Sequence, residues 1–89
     1  MIYKIIVDKQ VEKQLKKIPK YEQNKIRQTI HNLRLNPRPP GCKKLACHSN
    51  DVYRVRWGVY RVKYEIHEDI LTIILLKAGK RENFFDDLS

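Results

Sequence analysis

The chain has 89 residues, enough for one domain with a modest core and no second module. Hydrophobic residues make up 42% of it and charged residues 33%, and the apolar ones fall in periodic blocks, which excludes a disordered chain. A formal net charge of +9 gives a positive field that favours polyanions or an acidic protein as partner.

Two cysteines, Cys42 and Cys47, are spaced too widely for a zinc-knuckle half-site, and His48 is the only histidine beside them. No metal site and no cofactor are expected. Free thiols fit a reducing cytoplasm. The N-terminus reaches Asp8 before any long apolar stretch, so no signal peptide is expected. The longest apolar run, Ile70 to Leu76, is too short to span a bilayer.

In chain order, Ile2 to Val7 is an apolar, β-branched run and predicts a first strand. Asp8 offers a helix N-cap, and Val11, Leu15 and Ile18 follow on one helical face. Pro19 interrupts that pattern. A second helix follows, with Tyr21, Ile26, Ile30 and Leu33 expected on its buried side and Lys20, Lys25, Arg27 and Arg34 outside. The run from Asn36 to Gly41, with Pro37, Pro39 and Pro40, ends the helix.

From Val52 the period changes to two. Tyr53, Val55 and Trp57 point one way, Arg54 and Arg56 the other; Tyr60, Val62, Tyr64 and Ile66 then alternate with Arg61, Lys63 and Glu65. His67, Glu68 and Asp69 read as a turn. Ile70 to Ala78 is apolar on both faces and is expected to be the central strand. The order β-α-α-β-β-β, with a short C-terminal segment, predicts an α+β domain over residues 1–89. A helical hairpin covers one face of a small, mostly antiparallel, twisted sheet and leaves the polar face open.

A two-residue turn at Trp57-Gly58 would set Arg54 opposite Arg61. Facing guanidiniums repel unless an anion lies between them, and arginine forks match phosphate oxygens in pairs. Arg54, Arg56 and Arg61 therefore read as a phosphate cradle, although the same alternation also describes an ordinary solvated face. Gly79-Lys80-Arg81 ends the last strand and delivers Arg81 at its edge. Trp57, at the hairpin tip, is a candidate for stacking on a base. The alternative role for it is packing at the turn.

Lys44-Leu45, Tyr53-Arg54-Val55-Arg56, Tyr60 to Glu65 and Gly79-Lys80-Arg81-Glu82 together resemble the RelE/ParE toxin superfamily, RelE branch, over essentially the whole chain. The resemblance implies a ribosome-dependent mRNA endonuclease blocked by an acidic antitoxin, which also carries it to operator DNA. It implies that Arg54, Arg56, Arg61 and Arg81 hold and polarise the scissile phosphate, with the RNA 2′-hydroxyl attacking and no metal. Lys43, Lys44 and Lys80 are expected to bind RNA. Two departures stand out. The family's tyrosine after Gly-x-Arg is matched by Phe85, which has no hydroxyl, and the first hairpin strand carries arginine where lysine can stand. Lys63, Lys80 and His48 are the candidates for taking the 2′-hydroxyl proton. Lys63 is crowded by the arginines, and His48 reads as an exposed loop residue. The alternatives are a ParE-like inhibitor of DNA gyrase on the same fold and a catalytically inactive, antitoxin-bound co-repressor. The acids Glu82, Asp86 and Asp87 are expected to shield the arginines.

Overall fold

The computed structural model describes residues 2–45 and 51–80. Its elements are β1 (Lys4–Val7), α1 (Lys9–Lys16), α2 (Lys20–Asn32), β2 (Lys43–Lys44), β3 (Val52–Trp57), β4 (Tyr60–His67), a 3₁₀ turn at Glu68–Ile70, and β5 (Thr72–Lys80). The predicted order holds, with the two-residue β2 added. The five strands form one sheet in the order β1-β5-β4-β3-β2. Every pairing is antiparallel except β1 with β5. β4, not β5, is therefore the middle strand. Ile70, expected in the last strand, lies in the 3₁₀ turn and is 64% exposed. Leu71 leaves that turn with φ 47 and accepts from the Lys4 amide at 2.8 Å, which fixes where β1 joins β5.

Asp8 caps α1, its Oδ1 accepting from the Val11 amide at 3.0 Å. Val11, Leu15 and Ile18 are buried, as are Ile26, Ile30 and Leu33 of the second helix. They pack on Val55, Tyr60, Val62, Tyr64, Ile66, Ile73, Leu75 and Ala78, so the hairpin covers the apolar phase of the strands. Arg27 ties the helices together, its guanidinium donating to Glu12 at 2.7 Å. Tyr21 departs from expectation and is 73% exposed. Five residues separate it from Ile26, a rotation of about 140° around the helix. The half-buried Glu22 and Gln23 occupy the inner side instead.

The proline-rich segment after α2 is fastened to the sheet. The Tyr64 hydroxyl donates to the Pro37 carbonyl at 2.6 Å. Arg38 donates to the Tyr53 hydroxyl at 2.9 Å and to Glu68, with its guanidinium over the Tyr53 ring. Those partners raise the Arg38 pKa, Tyr53 contributing most. Burial, with Cys42 beside it, pushes the Tyr64 hydroxyl up as well. Among the described residues, no helix is long and apolar enough to cross a membrane.

Candidate functional site

The alternation that buries one sheet face assembles the other. The β3–β4 register sets Arg56 opposite Arg61 and Arg54 opposite Lys63. Across β4–β5, Arg61 meets Gly79 and Lys63 meets Lys77, and β2 adds Lys43 opposite Arg54. Two cross-strand rows result, Lys43–Arg54–Lys63–Lys77 and Arg56–Arg61–Gly79. Six cations among the described residues thus share one face. Residues opposite one another on adjacent strands have Cβ atoms about 5 Å apart, so the Arg56–Arg61 pair is a site of concentrated positive potential. Arg56 is exposed, whereas Arg54, Arg61 and Lys63 are half-buried. The Nε of Arg61 is shielded from solvent. Half-burial of this kind limits the freedom of a guanidinium and holds its charge in a region of reduced dielectric.

The facing pair of arginines exists, but it is not the expected one. Gly58 and Val59 form the turn, so Arg56, rather than Arg54, meets Arg61. Gly58 has φ 59, and the positive φ at the first turn position suits a tight hairpin of type II′. Trp57 is consequently not the tip. It ends β3 opposite Tyr60, is half-buried, and packs against the core. Val59 is the exposed tip residue, at 60%.

The expected RNA-binding lysines separate. Lys43 lies in the basic row. Lys44 shares its register position with Tyr53 on the opposite phase and pairs with Asp51 at 3.3 Å. Lys80 is exposed and stands opposite Tyr60, on the helix side of the sheet. Arg81, His48, Cys47 and Phe85 lie outside the described residues, as do Glu82, Asp86 and Asp87 with the shielding expected of them.

Two features were not anticipated. Glu65 and His67 continue the open-face row along β4, with His67 Nε2 and Glu65 Oε1 2.5 Å apart. His67 lies six residues from Arg61 on an extended strand, about 20 Å away, too far to serve a phosphate held there. Lys63 is one side-chain step, about 7 Å, from Arg61 and directly across from Arg54. The second feature is the Arg38 clamp, which secures the segment leading into β2. Its partners are fifteen residues or more away along the chain, and only the folded sheet brings them together.

The family model described as ParE toxin of type II toxin-antitoxin system, parDE, matches residues 5–83. The protein named "Putative toxin RelE1" from Methanocaldococcus jannaschii is 35% identical over 88 residues, covering 96% of this chain and 97% of that protein. Among solved structures, a chain of the archaeal RelE-RelB complex from Pyrococcus horikoshii matches with a TM-score of 0.80 at 32% identity, over 91% of this chain and 97% of that one. A chain of the RelB-RelE antitoxin-toxin complex from Methanococcus jannaschii matches with a TM-score of 0.73 at 26% identity, over 91% and 95%. The sequence resemblance, the family match and the shared architecture agree, and the chain belongs to the RelE/ParE superfamily of type II toxin–antitoxin toxins.

Proposed function

We propose that this toxin is a metal-independent endoribonuclease that cleaves mRNA on the ribosome and so inhibits translation. The observation that carries the reading is the Arg56–Arg61 pair at the head of an open face bearing six cations. RNA cleavage by its own 2′-hydroxyl passes through a phosphorane-like state with extra negative charge on the phosphoryl oxygens. Guanidiniums already fixed on a sheet stabilise that charge with little reorganisation. Arg56 and Arg61 hold the phosphate and Arg54 extends the cradle; Arg81, outside the described residues, is the fourth arginine that the family resemblance assigns to it. The 2′-oxygen attacks phosphorus and the 5′-oxygen leaves, giving a 2′,3′-cyclic phosphate and a 5′-hydroxyl. Arginine keeps its proton at working pH, so the 2′-hydroxyl proton goes elsewhere. Lys63 is the described amine closest in register to the pair. Ribosomal RNA is a second source of acid–base groups.

An acidic antitoxin is the natural inhibitor of such a face. Both solved chains named above come from complexes with RelB. Covering the cations with a segment of opposite charge blocks RNA without altering the fold. Contact with operator DNA runs through that antitoxin.

The test adds purified protein to a translating extract and maps mRNA ends by primer extension. Cuts inside ribosome-occupied codons are expected, reduced about 10²–10³-fold by Arg61→Ala. Absence of cuts, with growth arrest still seen in cells, would favour gyrase inhibition, a reading supported by the match to the ParE family model. Absence of both would leave the co-repressor reading.

A further inference from the structure

The phase of β5 changes partway along the strand. Ile73 stands opposite Ile66 and Leu75 opposite Tyr64, all four in the core on the helix side. Strict alternation would next send Lys77 into that core, opposite Val62. The register instead steps by one between Tyr64 and Lys63. Leu76 is the extra residue, a β-bulge, and is 38% exposed. Beyond it, Ala78 takes the buried place opposite Val62, and Lys77 comes to the open face directly opposite Lys63.

A bulge inside a sheet disrupts the ladder, and its usual gain is to re-aim a side chain. Here the side chain it re-aims is a cation, and the place it reaches is the row beside the arginines. Lys63 and Lys77 are both half-buried. Two ammoniums directly opposite each other concentrate positive potential between β4 and β5. Their row lies one side-chain step, about 7 Å, along β4 from Arg61. Arg61 faces Gly79, so Lys77 is also the diagonal neighbour of Arg61 across the sheet. That step is close to the distance between consecutive phosphates on an RNA strand. The Arg56–Arg61 row and the Lys63–Lys77 row are therefore spaced as neighbouring phosphates are. Lysine suits the second place, because it holds a phosphate as a point charge and needs no fixed fork geometry.

We propose that Lys77 is a further substrate-binding residue, turned onto the open face by the bulge at Leu76 to hold the phosphate next to the scissile one. The proposal rests on the ribonuclease reading and names the second phosphate that the same face takes. Phosphate contacts fix the register of a bound strand. Holding two consecutive phosphates decides which linkage lies between Arg56 and Arg61.

The test measures cleavage, below saturation, of synthetic mRNAs on programmed ribosomes by the unaltered chain, Lys77→Gln, Lys77→Arg and Arg61→Ala. One mRNA has phosphates throughout. Two others carry a single uncharged methylphosphonate, at the linkage before or after the cut. All three have 2′-O-methyl riboses at the nucleotides preceding those linkages, so that only the charge differs. Lys77→Gln is expected to cleave the all-phosphate mRNA about tenfold more slowly, the loss of one charge-assisted contact. On one of the methylphosphonate mRNAs it should match the unaltered chain, because the contact is then already gone. A folding defect would slow the variant equally on all three. Lys77→Arg should stay close to the unaltered chain, and Arg61→Ala should lose about 10²–10³-fold on every mRNA. A Lys77→Gln variant that cleaves the all-phosphate mRNA normally, or loses the same factor on all three, overturns the proposal. The ribonuclease reading survives that result as long as the unaltered chain cuts and Arg61→Ala does not. If the unaltered chain cuts none of the mRNAs, both fall.

Discussion

The two faces of one sheet divide the labour of this molecule. The same strands supply both, because successive side chains point opposite ways. On the helix side, Val55, Val62, Tyr64, Ile66, Ile73 and Leu75 are almost wholly buried against the two helices. On the open side, Arg54, Arg56, Arg61 and Lys63 stand within two cross-strand rows of like charge. The first arrangement lowers the free energy of folding. The second raises it, since like charges directly opposite one another repel. In the proposed reading, an anion bound between these strands offsets that repulsion.

That contrast can be broken at neighbouring residues. The largest effect is expected at Ile73, fully buried on the helix side, where Ile73→Ala should cost about 2–5 kcal/mol in chemical denaturation. Ile74, the next residue but on the open side, is only half-buried, and Ile74→Ala should cost less than half as much. Equal losses at the two positions would mean that the open face is also a packed core. Next in size is Arg61→Ala, expected to reduce cleavage about 10²–10³-fold while the midpoint of denaturation stays close to that of the unaltered chain.

Smaller effects sharpen the account of how the sheet is held. Tyr64→Phe removes the hydrogen bond to the Pro37 carbonyl and should cost about 1 kcal/mol, measured by urea unfolding. The smallest is the Glu12–Arg27 pair. The hydrogen bond from Arg27 holds the Glu12 carboxyl below its usual value. Its stabilisation is therefore present above the unfolded-state pKa and lost as the pH falls through the lower, folded-state one. Both side chains are more than a third exposed, so solvent screening limits the pair to about 0.2–1 kcal/mol. A Glu12→Gln variant should be less stable than the unaltered chain at neutral pH, and the gap should close in acid. A gap that persists at low pH would assign the effect to packing.

Much of the molecule was legible in its sequence, and the exceptions have physical reasons. The spacing of Val11, Leu15 and Ile18 placed α1, and alternation from Tyr53 to Ile66 placed both sheet faces correctly. Alternation cannot set the hairpin register, however. The pairings of Arg61 with Arg54 and with Arg56 both keep apolar residues opposite apolar residues, because they differ by a two-residue step along one strand. The turn decides, and the cue was Gly58, which takes the positive φ at the first turn position. Tyr21 was misplaced because its five-residue step to Ile26 fits neither three nor four. An all-apolar run placed β5 at the centre, but a strand beside the middle one, with β1 on its other edge, is apolar on both faces for the same reason. The candidate site was legible as residue types and as a face. The Arg38 clamp depends on contacts between distant segments, and local sequence patterns do not carry those.

The most direct test uses one preparation of Arg56→Gln/Arg61→Gln and measures both unfolding free energy and mRNA cleavage in a translating extract. The account predicts that cleavage is lost while stability is unchanged or slightly raised, because removing the facing charges relieves repulsion. Cleavage that survives the double substitution would contradict it, and so would a loss of stability large enough to account for the missing activity.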